Sequence, residues 1–215
     1  MDKQQSFYGI FRHEGLKFGW KHAKKDFWFF FQMFVLIAVV SYIPALVQLI
    51  VWDSQEVLVI AISFVCQVLA IIFTFGMIKI FLHFVHEKAH KLSDLWDHKW
   101  VRVGRWIVTK FLAGILIAIG FVLLIIPGIY VAARLYLAEY FVVDQNMNAI
   151  EAISASREIT KGHVREIIGI WLLTLGITIL GVIPAFIGLL WAVPTVKLAQ
   201  ATLYKKLTAG AKHLE

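Results

Sequence analysis

The chain has 215 residues, of which 60% are hydrophobic and 16% charged, with a mean hydropathy of +0.77. A soluble domain carries about 25% charged residues, so this composition excludes a water-soluble globule and makes lipid the solvent for most of one domain. The net charge of +7 points to the anionic membrane surface rather than to nucleic acid, because the basic residues flank apolar runs and no groove-reading motif is present.

Residues 1–26 predict a cytoplasmic helix lying in the interface. Phe7, Ile10, Phe11 and Phe18 fall near one face, while Lys17, Lys21 and Lys24, joined by Lys25, mark another. A basic face opposite an aromatic one is the pattern of an interfacial helix, which makes these four lysines the candidate lipid-surface residues. Trp20 and the run Phe27-Trp28-Phe29-Phe30-Phe31 stand where an aromatic belt belongs. No small-residue cleavage site follows a short apolar segment, so the first span is expected to be retained.

A spanning helix needs about 20 apolar residues. Residues 27–51 and 57–85 satisfy this and are joined by Trp52-Asp53-Ser54-Gln55-Glu56. Cys66 in the second span cannot form an internal disulfide, being the single cysteine, and reads as a small buried hydrophobe. The next apolar run, 106–143, would be roughly 57 Å long as one helix, far more than a membrane needs. Ile126-Pro127-Gly128 interrupts it, so spans at 106–126 and 129–143 are predicted. Pro184 divides the last run in the same way, into 167–183 and 185–204, followed by a cytoplasmic tail at 205–215. Pro44 lies in a third Ile-Pro-small triplet, which fits either an internal repeat or an unrelated proline kink. The expected fold is therefore all-α and polytopic, with six spans in three hairpins.

Eighteen of the 21 basic residues lie before span one, around the connection of spans two and three, between four and five, or after six. The positive-inside rule then places both termini in the cytoplasm. The soft point is span four, whose fifteen residues cover roughly 22 Å. A four-span rival with long kinked helices also keeps both termini inside, but puts 144–166 outside. Within that segment, Asn148 and Glu151 have the spacing of a capping box, and Gly162 suits a helix end.

Arg134 and Glu139 fall inside the predicted fourth span and Lys197 inside the sixth. Such charges are expensive and mark a pathway or a buried pair. Glu139 and Lys197 lie at similar distances past Pro127 and Pro184, so an interhelical Glu139–Lys197 pair is one reading, and separate snorkelling of each side chain, the slightly favoured one, is the other. His83, His86 and His90 share a helix face with Glu87, a spacing that can bind zinc but lacks the order of a zinc protease. A solvated helix end explains them better, and no metal or other cofactor is expected. No nucleophile elbow or glycine-rich phosphate loop is present.

Ile126-Pro127-Gly128-Ile129-Tyr130, Leu135-Tyr136-Leu137-Ala138, Val142-Val143-Asp144, Ala149-Ile150-Glu151-Ala152-Ile153 and Ser156-Arg157-Glu158-Ile159-Thr160-Lys161-Gly162 follow one another at set spacing. Ser93-Asp94-Leu95 and Phe18-Gly19-Trp20-Lys21 with Lys24-Lys25 precede them. This series resembles the YciC-like bacterial inner-membrane proteins and the membrane domain of some glycerophosphodiester phosphodiesterases. The resemblance implies a six-helix protein of the bacterial cytoplasmic membrane. In the fused phosphodiesterases catalysis belongs to a separate soluble domain, so no catalytic residue is carried over.

The expected role is non-enzymatic: interaction with membrane lipids, anionic ones included, or support of a membrane complex through a protein partner or a second copy. The alternatives are a small transporter or channel built on the broken helices and intramembrane charges, and a metal-dependent membrane enzyme using the histidines.

Overall fold

The computed structural model describes residues 15–50, 56–88, 91–96, 99–182 and 189–212. Every regular element among them is helical. Helix α1 covers 15–25, and α2 (Phe27–Ile50) follows it after a turn at Asp26. Then come α3 (Glu56–Val85), a short 3-10 turn (Leu92–Leu95), α4 (Trp100–Leu123), α5 (Ile125–Leu135), α6 (Ala138–Gln145), α7 (Ala149–Ile159), α8 (Val164–Val182) and α9 (Leu189–Lys212). Four segments are long and apolar enough to cross a membrane: Phe27–Leu49, Val57–Val85, Trp100–Leu123 and Ile125–Gln145. A fifth is added if α7 and α8, bent by 98° at their junction, count as one.

Pro44 does not interrupt α2, which runs on through it. The break in the third apolar run also falls elsewhere than expected. Leu124 is extended (φ −168°, ψ 157°) and separates α4 from α5, so Pro127 enters the first turn of α5. There its missing N–H removes nothing, because the first N–H groups of a helix have no intrahelical partner. Pro184 lies outside the described residues. Moving the break to Leu124 lengthens the weak fourth segment to the 21 residues of Ile125–Gln145, about 31 Å of helix rise against a core of about 30 Å. A Cβ on Gly120 would stand 3.0 Å from Gly128 Cα, so the backbones of α4 and α5 meet there.

Burial divides the molecule along its length. Among residues 27–49 of α2 only Phe30 and Met33 are buried, and in α3 burial is concentrated from Ile72 to Val85, with Cys66 a lone buried residue further out. Phe30, Met33 and the buried apolar side chains of α3 from Phe73 to Val85 join Leu95, Val103, Trp106, Leu137, Tyr140, Phe141, Val142, Val143, Ala152 and the α9 residues Leu198, Ala201 and Tyr204 in one core. Phe30 stacks on Phe81 and Phe84 within it, at 6.0 and 5.1 Å between ring centres. The other ends of the hairpins expose their apolar side chains: Leu49 is 77%, Val57 81% and Val122 87% accessible. A continuous apolar surface of this kind is suited to lipid, not water.

Helix α9 is less apolar than α2, α3, α4, α5 and α8, and protein surrounds much of it. Its residue order runs against α1: a Cβ on Gly15 would meet Ala199 and one on Gly19 would meet Thr195, and Phe27 stacks on Trp191 at 4.9 Å. It runs with α6, Gln200 lying at Tyr140 and Tyr204 at Asp144. Polar side chains on such a helix find protein partners instead of hydrocarbon.

Candidate functional site

The basic surface is built by α1. Its small residues Gly15, Gly19 and Ala23 recur every four positions and are all buried. A Cβ on Gly19 would collide with the Thr195 carbonyl oxygen and lie 3.1 Å from the Thr195 Cα. The glycine therefore lets α1 lie backbone-to-backbone on α9. Phe18 packs on the His22 ring at 4.0 Å, and His22 meets Phe84. With that side fixed, Lys17, Lys21, Lys24 and Lys25 are all exposed. Lys24 Nζ stands 4.9 Å over the Trp20 ring, itself exposed, which is a cation–π geometry. The three apolar positions expected at 7, 10 and 11 lie outside the described residues. The packing face that the sequence reading missed is the glycine–alanine stripe, visible as small residues at i, i+4 and i+8.

The charges inside the apolar segments are distributed as follows. Glu139 pairs with Lys110 of α4 at 2.5 Å, not with Lys197. Lys197 lies half-buried on α9 within electrostatic reach of both. Lys110 was missed because α4 begins at Trp100, which sets Lys110 ten residues into the helix. Arg134 places its guanidinium 5.8 Å over the Tyr130 ring. Its carbonyl is released where α5 stops at Leu135 and Leu137 adopts φ −96°, ψ 0°. The buried Ser156 Oγ donates to that carbonyl at 2.9 Å, and the buried Thr160 hydroxyl lies 3.1 Å from it while its closer acceptor is the Ser156 carbonyl at 2.6 Å. The α7 capping box is formed, Asn148 Oδ1 accepting from the Glu151 N–H and Glu151 from the Asn148 N–H, each at 3.0 Å. Gly162, at φ +86°, closes the other end.

The histidines point to separate carboxylates. His83 Nδ1 lies 3.6 Å from Asp94, which also faces Lys79 at 3.7 Å and accepts the Lys91 N–H at 2.9 Å. His86 Nδ1 lies 4.0 Å from Asp144, and His90 lies outside the described residues. Among the described residues no three His, Cys, Asp or Glu side chains form a group able to hold a metal. Asp94 and Asp144 tie helix ends together instead. Leu95, beside Asp94, presses its backbone to within 2.7 Å of where a Cβ on Gly76 would stand. Tyr204 donates to Asp144 at 3.0 Å and accepts from Gln145 at 3.0 Å, Lys205 Nζ donates to the Val85 carbonyl at 2.7 Å, and Arg105 donates to the Asn146 carbonyl at 2.8 Å. The ends of α3, α6 and α9 and the start of α4 are thus fastened by polar contacts at one end of the bundle.

Among curated proteins, the chain is 30% identical over 108 residues to Uncharacterized protein Mb2590 of Mycobacterium bovis and to Uncharacterized protein MT2637 of Mycobacterium tuberculosis. Each match covers 50% of this chain and 33% of the relative, so the chain spans about a third of the length of these relatives. Uncharacterized protein Rv2560 of Mycobacterium tuberculosis is 29% identical over the same length. No solved structure matches. The model of a family described as a protein of unknown function (DUF975) matches residues 101–211, the stretch from α4 to α9 that holds the Leu124 break, the Arg134 carbonyl and its Ser156 donor, and the chain belongs to that family.

Proposed function

We propose that this chain is a non-enzymatic integral protein of the bacterial cytoplasmic membrane that engages anionic lipid on the cytoplasmic side, as a lipid-binding element or as the membrane anchor of a complex. The spans in this proposal number six, in three hairpins, with both termini inside. The close approach of Gly120 to Gly128 and the Arg105–Asn146 contact support it, since they return 144–166 to the end where 85–105 lies. The likeness to YciC-like inner-membrane proteins agrees with the same layout.

The observation that carries the lipid reading is α1. One side is locked on α9 by Gly15, Gly19 and Ala23, so Lys17, Lys21, Lys24 and Lys25 are held outward at the base of the bundle. Each lysine near an anionic surface contributes about 1 kcal/mol at most. The test is competition between spin-labelled phosphatidylglycerol and phosphatidylcholine at the surface of the reconstituted full chain. The wild type should favour phosphatidylglycerol, and the quadruple Lys→Gln variant should lose most of that preference. Salt should weaken it as the screening length falls from about 10 Å at 0.1 M to about 3 Å at 1 M. Equal retention of both lipids by the wild type would end this reading.

A transport role has one feature in its favour, the Lys110, Glu139 and Lys197 group shared by α4, α6 and α9. Its excess positive charge in an apolar bundle suits an anion pathway. Anion flux into proteoliposomes that is abolished by Lys197→Gln would move the assignment there.

A further inference from the structure

Helix α3 carries a polar side chain where the bundle offers it nothing. Lys79 faces Asp94 of the α3–α4 connection at 3.7 Å, which places Lys79 at the base. From there to Val57 the helix rises about 33 Å, matching a hydrocarbon core about 30 Å thick. Gln67 lies about 18 Å from Lys79 and about 15 Å from Val57 along the axis, close to the midplane, and it is exposed. Snorkelling serves long side chains near helix ends and not a glutamine at this depth. The neighbouring hydroxyls of α3 are satisfied by their own helix: Ser63 donates to the Val59 carbonyl at 2.7 Å and Thr74 to the Ala70 carbonyl at 2.8 Å. Among the described residues the Gln67 amide has no such partner, and an amide left unpaired in hydrocarbon is costly. Its position belongs to a pattern. Val57, Ile60, Phe64, Gln67, Ile71 and Thr74 follow one another at alternating steps of three and four, the spacing of a coiled-coil seam. Ile60 and Phe64 are 66% and 70% accessible, Val57 and Thr74 are exposed, and Ile71 is partly buried.

We infer that this stripe is the interface between two copies of the chain, packed α3 to α3 about a two-fold axis along the membrane normal, with the two Gln67 amides hydrogen-bonded to each other. The chemistry selects a second copy. An amide carries two N–H donors and a carbonyl acceptor, so it complements itself. Copies inserted in the same direction hold Gln67 at the same depth, and a two-fold contact then sets Gln67 against Gln67 with no further requirement. A single polar residue in such a seam also fixes its register. Acyl chains cover the apolar positions as well as another helix does, but they offer the amide no partner. The inference rests on α3 spanning the membrane and is independent of the lipid reading, whose lysines lie on α1 at the base.

The experiment uses the purified full chain reconstituted in phosphatidylcholine bilayers. Energy transfer between labelled copies, followed over a series of lipid-to-protein ratios, reads the dimer dissociation constant. Gln67→Leu should raise it about tenfold, the factor for two interhelical hydrogen bonds of modest strength, while Gln67→Asn, which keeps an amide, should retain most of the association. Leucine is at home in hydrocarbon, so Gln67→Leu leaves the fold of each copy intact. Disulfide crosslinking then locates the contact. With the native thiol removed by Cys66→Ala, Ile60→Cys in the seam should give a covalent dimer on mild oxidation, and Phe111→Cys, equally exposed on α4, should not. The quadruple Lys→Gln variant of α1 should dimerise like the wild type, so that failure of the lipid reading leaves this one standing. A wild type that stays monomeric at every ratio overturns the inference. So does a Gln67→Leu dimer as tight as the wild type, or crosslinking as efficient from Phe111→Cys as from Ile60→Cys.

Discussion

Gly19→Ala should undock α1. The added Cβ would press on the carbonyl oxygen of Thr195 and approach its carbonyl carbon and Cα to 3.1 Å. These are backbone atoms of α9, so no side chain can rotate away to make room. Overpacking at a tight site costs about 1–3 kcal/mol, and a contact this close belongs at the upper end. The substitution also removes glycine from a helix interior, which returns about 1 kcal/mol, so the net loss is about 2 kcal/mol. Gly104 supplies the control: it lies in α4 with nothing within 4 Å of its Cβ position. Gly104→Ala should therefore stabilise by up to about 1 kcal/mol, a separation of about 3 kcal/mol between two chemically identical changes. Thermal unfolding of the full chain in micelles measures the difference, and amide exchange over 15–25 locates it. If Gly19→Ala unfolds with Gly104→Ala, or if exchange in α1 is unchanged, the backbone contact between α1 and α9 does not exist as described.

Three further predictions test the rest of the base. Ser156→Ala combined with Thr160→Val removes the Ser156 hydroxyl that donates to the Arg134 carbonyl and the neighbouring Thr160 hydroxyl that could turn to replace it, and should destabilise by about 1–3 kcal/mol, the range for a buried acceptor left unmet; chemical denaturation of reconstituted protein reads it. Gly76→Ala should push the Leu95 turn off α3, since its Cβ would stand 2.7 Å from Leu95 backbone atoms, and proteolysis after residue 88 should accelerate. Lys110→Glu and Glu139→Lys should each lower the yield of folded protein, and the double exchange should restore it; rescue of Glu139→Lys by Lys197→Glu but not by Lys110→Glu would mean that α9, not α4, supplies the partner.

The features legible in the sequence were those set by solvent and by local chemistry. Apolar run lengths located α2 and α3, because only helices satisfy their backbones in hydrocarbon. The Asn148–Glu151 box and Gly162 were readable because each is complete within a few residues. Proline was a poorer guide. Pro44 is accommodated within α2, while the Pro127 break lies three residues earlier, at Leu124, because proline fits a helix's first turn better than the extended residue before it. Partner choice was out of reach: spacing past two prolines suggested Glu139 with Lys197, but the start of α4 at Trp100 brings Lys110 alongside instead.

Helix α9 shows where the hydropathy argument stops. It carries Lys197, Gln200, Lys205 and Lys206, and it does not meet the apolar test that α2, α3 and α4 pass. Hydropathy measures what a helix would lose by facing water instead of lipid, and α9 faces neither over most of its middle. Ala192, Thr195, Val196, Leu198, Ala199, Gln200, Ala201, Leu203 and Tyr204 are all buried, against α1 on one side and α6 on the other. A helix enclosed in this way is selected for small packing residues and paired polar groups, as in Ala199 at Gly15 and Tyr204 at Asp144. Its modest hydropathy is therefore the mark of a central position, where polar side chains meet protein partners instead of hydrocarbon.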